Sequence, residues 1–431
     1  MTTVDISRLK SHESESVTLL GWLANKRRSG KIAFLKVRDG SGVVQVVVSR
    51  SDVSEEAWEA VKTVSQESTV RVVGTVRVDE RAPGGVELHG TDFEVTSLVE
   101  DEFPITNKEH GTAFLMQHRH LWLRSSKQRA ALQVRHEVCQ AIRDFFYERE
   151  FTLIDSPILT PNASEGTSTL FEIDYFGDPA YLSQSGQLYL EPAAAALGKV
   201  YCMGPTFRAE KSKTRRHLME FWMVEPEVAF LEFDGLVQLA EDFIVSLVGR
   251  ILDRCREPLA VLERETASLE AVTSGFPRLA YTEAIEALQE RGVDISWGDD
   301  FGGEDETTLA GLYDKPLFIT HFPAEIKAFY MQPDAEDDRL ALGMDLIAPE
   351  GYGEIIGGSQ RIHDHDLLLQ RLREHELPIE PFQWYLDVRR FGTFPHSGFG
   401  MGIERFVAWM TGVKHLRETI PYPRMLYKIY P

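Results

Sequence analysis

Two segments decide how this chain is read: FRAEKSKTRRHLMEFWMVEPE (residues 207–227) and GFGMGIER (residues 398–405). Each carries an arginine in a distinctive setting, Arg208 inside Phe-Arg-Ala-Glu and Arg405 after a run of alternating glycines. Neither is a Walker-type phosphate loop, because the glycines precede no Lys-Ser or Lys-Thr pair. A guanidinium stays charged and donates in a planar fork, so two of them suit a nucleotide held at both ends. The glycines let the backbone approach such a ligand closely. A nucleotide site is expected where the two segments meet.

The surrounding chain has 431 residues, which predicts two or three domains rather than one core. Its 43% hydrophobic and 26% charged content is that of a globular protein. The most apolar stretch, residues 236–252, is interrupted by Glu241 and Asp242 and predicts a packed helix, not a membrane span. The first residues lack a basic region followed by an apolar one, so no secretion signal is expected. Cys139, Cys202 and Cys255 are widely spaced and match neither a zinc pattern nor a disulfide framework. Buried thiols in a cytoplasmic protein are expected. A net charge of −21 argues against a general nucleic-acid binder. Two local basic clusters, Lys26-Arg27-Arg28 and residues 211–216, fit either RNA contact or a solvated charged surface.

Residues 1–100 read as a first domain. Short runs alternate apolar and polar side chains at 17–20, 33–37, 43–48, 69–76 and 86–95, with Gly40-Ser41-Gly42 and Ala82-Pro83-Gly84-Gly85 as turns. Five such strands predict a small closed barrel of the oligonucleotide-binding (OB) type. Residues 101–127, with Pro104 and Gly111, read as a linker or hinge. Residues 128–431 form the second domain, opening with an amphipathic helix over 128–149 and a strand over 151–159. Further strands are expected at 180–183, 200–203, 221–228, 317–320, 341–346 and 354–357, and helices at 188–197, 233–257, 363–376 and 402–411. They mix without strict alternation, so the expected fold class is α+β: the OB barrel, then a mainly antiparallel sheet flanked by helices. Residues 258–314, rich in Glu, Asp and Gly, are expected to form a peripheral insertion.

Residues 207–227 resemble motif 2 of the class II aminoacyl-tRNA synthetases. Residues 398–405 resemble their motif 3, and residues 151–161 their dimer-forming motif 1. The barrel and the run GEIIGGSQRIH (residues 353–363) resemble the aspartyl/asparaginyl branch of that family. Motifs 2 and 3 in order are far more specific than either alone. The resemblance implies an amino-acid carboxylate attacking the α-phosphate of ATP, then transfer of the aminoacyl group to a tRNA hydroxyl. The nucleophile is already ionised, so catalysis reduces to positioning and stabilisation of charge on phosphorus. By resemblance, Arg208 contacts the α-phosphate and the amino-acid carboxylate, while Arg405 holds the far phosphates and stacks on adenine opposite Phe221. Arg216, His217 and Leu218 belong to the loop over the phosphates, Glu210 meets the adenine edge, and Gly402, Ile403 and Glu404 complete the ATP site. An ion pair of Arg208 with Glu210, or of Arg405 with Glu404, is the structural alternative. Glu354, with Asp345 as second ligand, is expected to carry Mg²⁺. Alone, these two carboxylates read as surface groups, and the neighbouring Gly357 and Arg361 give Glu354 its context.

For the amino acid, the resemblance implies Glu165 and Gln187 as acceptors for the α-ammonium, and Gly357 and Arg361 around the side chain. Aspartyl enzymes place a lysine three residues after the equivalent of Gln187 and an aspartate on the next strand. This chain has Leu190 and Glu225 there. Loss of a cation disfavours a buried carboxylate, and an amide NH₂ needs an acceptor, so asparagine is expected as the substrate. Leu190 acting only in packing is the alternative. In the barrel, Arg27, Phe34 and Gln45 match residues that the branch uses on the central anticodon base, with Phe34 as core filler the competing reading. His118, His120, His363, His365 and His396 lack metal-ligand spacing and read as structural or surface residues. The expected partners are tRNA, asparagine and a second copy of the chain, with no membrane. Three other readings remain: an aspartate ligase tolerating two tRNAs, a tRNA-independent asparagine synthetase, and a non-catalytic RNA-binding regulator. Lys327 stands out in IKAFY (residues 326–330), without an assigned role.

Overall fold

The structure is a computed structural model that describes residues 2–106, 108–164, 169–212 and 214–431. The chain divides into two compact units, Met1–Thr112 and Ala113–Pro431.

In the first unit, β1 (Ser16–Ser29), β2 (Ile32–Arg38), β3 (Val43–Ser49), β4 (Thr69–Val78) and β5 (Val86–Ser97) close into a barrel in the order β1-β2-β3-β5-β4. The period-2 pattern dictates which side faces in. Leu19, Leu35, Val37, Val46, Val72 and Leu88 are all fully buried in one core. A helix over Glu55–Thr63, capped by the Ser54 side chain on Ala57 N–H, adds Trp58 and Val61 to that core. The opposite face of the strands carries the expected RNA-contacting residues. Register sets Arg27 beside Phe34 and Phe34 beside Val47, with Gln45 one row along opposite Lys36.

The second unit is built on an eight-stranded sheet. Its strands are β6 (Thr152–Leu153), β10 (Lys199–Phe207), β11 (Glu220–Ala229), β12 (Arg278–Ala280), β13 (Leu317–Pro323), β14 (Leu340–Ala348), β15 (Gly353–Gln360) and β16 (His396–Gly402). The order is β12-β13-β14-β15-β16-β11-β10-β6, antiparallel except for the parallel pairs at its two edges. A small separate sheet is formed by β7 (Leu159–Thr160), β8 (Glu172–Tyr175) and β9 (Asp178–Leu182). One face of the large sheet is covered by the helices Ser126–Glu148 and Phe233–Arg254, whose Phe146, Ile142, Phe243 and Leu247 pack on Val224, Ile356 and Phe399. The other face is free to build a site.

Strand β16 shows how the sequence assigns those faces. In GFGMGIER, the large Phe399, Met401 and Ile403 enter the core, while the alternating glycines face the opposite way. A side chain at Gly398 would collide with Glu227 and the Pro226 carbonyl, so β11 and β16 approach more closely than any other residue permits.

Three expectations are corrected. The strand expected over residues 151–159 survives only as β6 and β7, since Pro157 between them has no N–H for a ladder. Residues 113–127 are not linker but part of the second unit. Arg119 is buried there and donates to the carbonyls of Pro421 and Ile420 at 2.8 and 2.9 Å, with Gln128 accepting from it as well. The stretch 258–314 is not peripheral: it supplies β12, its own core around Tyr281, Leu288 and Leu309, and a helix, Gly303–Ala310, that reaches the site described next.

Candidate active site

A cavity of about 290 Å³ opens on the free face of the sheet. β10 delivers Arg208 just beyond its end; β11 delivers Phe221, Met223 and Glu225; β15 delivers Glu354 and Gly357; β16 and the helix Ile403–Thr411 deliver Gly402 and Arg405. The two arginine-bearing segments therefore meet in one place, as expected. The Arg208 guanidinium lies 5.5 Å from the Phe221 ring centre and its Nη2 lies 3.9 Å from the Met223 sulfur. Arg405 donates to the Glu354 carbonyl at 2.7 Å, with Glu354 Oε2 at 3.4 Å.

Among the described residues, the two acids of the structural alternative have partners other than these arginines. Glu210 faces His217 at 3.3 Å, and Glu404 is buried against Arg135 at 2.7 Å while accepting from Trp222 N–H at 3.0 Å. Glu404 lines the cavity, but its charge is taken by this scaffold pairing. Ile403 is fully buried in the core and does not line the cavity. Burial and the nearby Arg405, Arg208 and Arg216 push the His217 imidazole below its ordinary range, against the pull of Glu210. Leu218 lines the same wall.

Arg216 sits on the former insertion. It donates to the Gly303 carbonyl at 3.3 Å, to Thr307 Oγ1 at 3.2 Å and to the Gly351 carbonyl, with Glu306 Oε2 at 3.4 Å. Glu306 also accepts from Glu354 N–H at 3.3 Å. Burial, and then the Glu354 charge, push its carboxyl up to about 7. An unfolded chain releases that proton near 4.5. The folded state is thus the better proton binder between those values, and ligand-free stability falls as pH climbs through that window. Glu306→Gln is expected to remove this loss. Its ligand-free form should be about 1–3 kcal/mol more stable than the parent at pH 8 and equal to it near pH 4.5, as read by urea unfolding. Equal stability at pH 8 would refute the assignment.

Asp345 and Glu354 converge over Gly357. A Cβ on that glycine would stand 2.8 Å from Glu354 Oε1 and 3.6 Å from Asp345 Oδ1, so the space between the carboxylates exists because the residue has no side chain. Lys327 now has a partner: its Nζ lies 2.8 Å from Asp345 Oδ2 and 3.7 Å from the centre of the Phe322 ring. Burial pushes the Asp345 carboxyl up to about 6, with Lys327 opposing and Glu354 adding to the rise. Two clustered carboxylates with room for phosphate oxygens are a donor set suited to Mg²⁺.

At the other end of the cavity, Arg361 and Glu227 form a buried fork with contacts of 3.2 and 3.0 Å, and Arg361 Nη1 donates to Ser359 Oγ at 2.8 Å. Their side chains are 3% and 1% exposed. Glu225 accepts from Gly186 N–H at 2.9 Å, from Ser185 Oγ and from Cys202 Sγ at 3.4 Å. A carboxylate accepts about four hydrogen bonds, so one position remains for a ligand in the cavity it lines. Gln187 lines it too, with its amide nitrogen tied to Glu191 at 3.2 Å. Leu190 does not: it is fully buried against Ala194, Val200, Cys202 and Phe394. Glu165 lies outside the described residues. Sequence reasoning gave no role to Glu191, Glu227 or Glu306, whose partners are 90 to 205 residues distant in the cases of Arg216, Arg361 and His396.

In the barrel, the Arg27 guanidinium stacks 4.8 Å above the half-buried Phe34, outside the core, and Gln45 donates to Glu87 at 2.6 Å.

The chain is similar to known proteins along its whole length. The family described as tRNA synthetases class II (D, K and N) matches residues 112–426, and the OB-fold nucleic acid binding domain matches residues 17–96. An asparagine–tRNA ligase of Sorangium cellulosum is 56% identical, with 99% of this chain and 98% of the relative covered. One from Desulforamulus reducens is also 56% identical, with 99% of each covered. The crystal structure of Pyrococcus horikoshii asparaginyl-tRNA synthetase with asparaginyl-adenylate is similar with a TM-score of 0.97 and 42% identity, each chain covered in full. The aspartyl-tRNA synthetase of Entamoeba histolytica reaches 0.86 at 26% identity, covering 100% of this chain and 93% of its own. The chain belongs to the class II tRNA synthetases of the aspartate, lysine and asparagine group.

Proposed function

We propose that this chain ligates asparagine to its tRNA through an asparaginyl-adenylate, releasing pyrophosphate in the first step and AMP in the second. The observation that carries this reading is a single cavity with Arg208 and Arg405 at one end and the Glu225 and Arg361 side chains at the other. The relatives named above as asparagine–tRNA ligases support it along the whole chain.

The asparagine carboxylate attacks the α-phosphorus of ATP and the bond to pyrophosphate breaks in line with it. No side-chain base is needed, because the nucleophile carries its charge already. Arg208 donates to the oxygens on which negative charge grows, and Arg405 holds the departing phosphates, with Phe221 offering a face for the adenine. His217, kept neutral by its surroundings, and Glu210 close the nucleotide end, with Arg216 lining the same cavity. Glu354 and Asp345 are the residues that would hold Mg²⁺, which when bound would supply charge neutralisation at the phosphates. Arg361 donates to the carboxamide oxygen and Glu225 accepts from its NH₂, while Gln187 and Glu165 accept from the α-ammonium. Aspartate would bring a second anion against Glu225, which disfavours it. Selection therefore rests on Glu225, and Leu190 contributes only by packing.

Competition between the two amino acids in ATP–pyrophosphate exchange, followed by charging of tRNA, tests the proposal. Efficient charging of aspartate without asparagine would overturn it. Phe34→Ala is expected to lower tRNA charging about 10- to 100-fold, the value of one base stacked on an aromatic ring. Pyrophosphate exchange should stay unchanged, and an equal loss in both assays would remove Phe34 from the anticodon site with Arg27 and Gln45. The chain also pairs with a second copy: Leu153, Ile158 and Leu159 of the motif 1 segment stand exposed and apolar. Sedimentation as a fully active single-chain species would contradict that. Among the described residues, no helix is long and apolar enough to cross a membrane.

A further inference from the structure

Beneath the amino-acid end of the cavity lies a buried carboxylate that the reaction as described does not use. Glu191, on the helix Gln187–Leu197, has no exposed surface. Four donors enclose it. Tyr385 Oη at 2.7 Å and Gln187 Nε2 at 3.2 Å donate to Oε1, while His396 Nε2 at 2.9 Å and an Arg389 Nη2 donate to Oε2. A carboxylate offers about four acceptor positions, so every one is filled. Burial alone would favour the protonated acid, but Arg389 and His396 outweigh it and hold the group well below the usual carboxylate range.

These partners lead to both ends of the amino-acid site. With its nitrogen tied to Glu191, the Gln187 amide keeps its carbonyl oxygen as the acceptor for the cavity that it lines. On the other side, Arg389 Nε donates to the carbonyl of Ile362 at 2.9 Å, the residue after Arg361. The His396 carbonyl in turn accepts the Arg361 backbone N–H at 2.9 Å. One anion thus braces the side chain that meets the α-ammonium and the backbone that presents the carboxamide donor.

We propose that Glu191 is a positioning residue that fixes the distance between the Gln187 carbonyl and the Arg361 guanidinium, and so measures the length of the amino acid. It touches no substrate itself. The inference rests on the placement of asparagine given above, between Gln187 and Arg361.

The experiment is a double-substitution cycle on the full chain, read by ATP–pyrophosphate exchange with asparagine and with glutamine, which is one methylene longer. Gln187→Ala tests the underlying placement and should raise the KM for asparagine. Glu191→Gln should raise the asparagine KM by about 10- to 100-fold, the worth of a charge-assisted hydrogen bond. The KM for ATP should stay within about twofold. The preference for asparagine over glutamine should narrow, and Glu191→Gln should cost less in the Gln187→Ala background than in the parent, the remainder acting through Arg361. If Glu191→Gln fails to fold because Arg389 is left unpaired, Glu191→Gln combined with Arg389→Met removes that stranded charge and takes its place in the cycle. A folded variant with an unchanged asparagine KM, or effects that simply add, overturns the proposal while leaving the placement intact. An unchanged KM in Gln187→Ala overturns the placement instead.

Discussion

Arg208→Ala is expected to lower kcat/KM for adenylate formation by about 10³-fold, the scale set by removing one fixed donor from a developing oxyanion or one arginine from a transferring phosphoryl group. The loss should fall mainly on kcat, because the charge that Arg208 meets grows only as the carboxylate attacks. The guanidinium lies in the open cavity near Phe221 and Met223, and the Arg208 backbone N–H, which donates to the Met219 carbonyl at 3.1 Å, is untouched by the substitution. Arg208→Lys should recover only a small part of the rate, since a point charge cannot reproduce the planar fork. Pyrophosphate exchange under saturating ATP and asparagine measures the effect. A loss smaller than tenfold would remove Arg208 from the reaction centre.

The parts of this site that could be read from sequence are those where local pattern and chemistry coincide. GFGMGIER alternates with period 2, so its glycines must share one face and its large residues the other. That face is the floor of the cavity. The alternating runs at residues 33–37 and 43–48 placed Phe34 and Gln45 outside the barrel core for the same reason. Where the reading failed, tertiary contact outweighed local signal. Leu190 follows Gln187 by three residues and Glu191 by four. Both positions lie on the helical side nearest Gln187, and it is the second that reaches it, at 3.2 Å. The acidic stretch 258–314 has the composition of a solvated surface, and nothing local marks Glu306 as the partner of Arg216, 90 residues earlier. Lys327 looked unusual without a role because Asp345 is 18 residues away, on β14. Ion pairs of this kind leave no periodic trace in a single chain.

The buried fork of Arg361 and Glu227 yields the second large effect. Arg361→Met is expected to abolish asparagine-dependent exchange and to destabilise the fold by about 3–5 kcal/mol, because it leaves Glu227 as an unpaired charge in the interior. Burial already pushes the Glu227 carboxyl above its ordinary range even with Arg361 opposing. Without the guanidinium its affinity for a proton should rise further. The folded variant then binds a proton that the unfolded chain has released, so the deficit should be greatest at neutral pH and shrink as pH falls toward the ordinary carboxylate range. Arg361→Met combined with Glu227→Gln separates the two roles of the arginine. Neutralising the stranded acid should restore most of the stability, whereas activity should stay absent, since nothing then donates to the carboxamide oxygen. Chemical unfolding of both variants at pH 5 and pH 8, alongside exchange assays, reads out each part. If the double variant regained activity together with stability, Arg361 would be a scaffold residue alone, and recognition of the asparagine side chain would fall to Glu225.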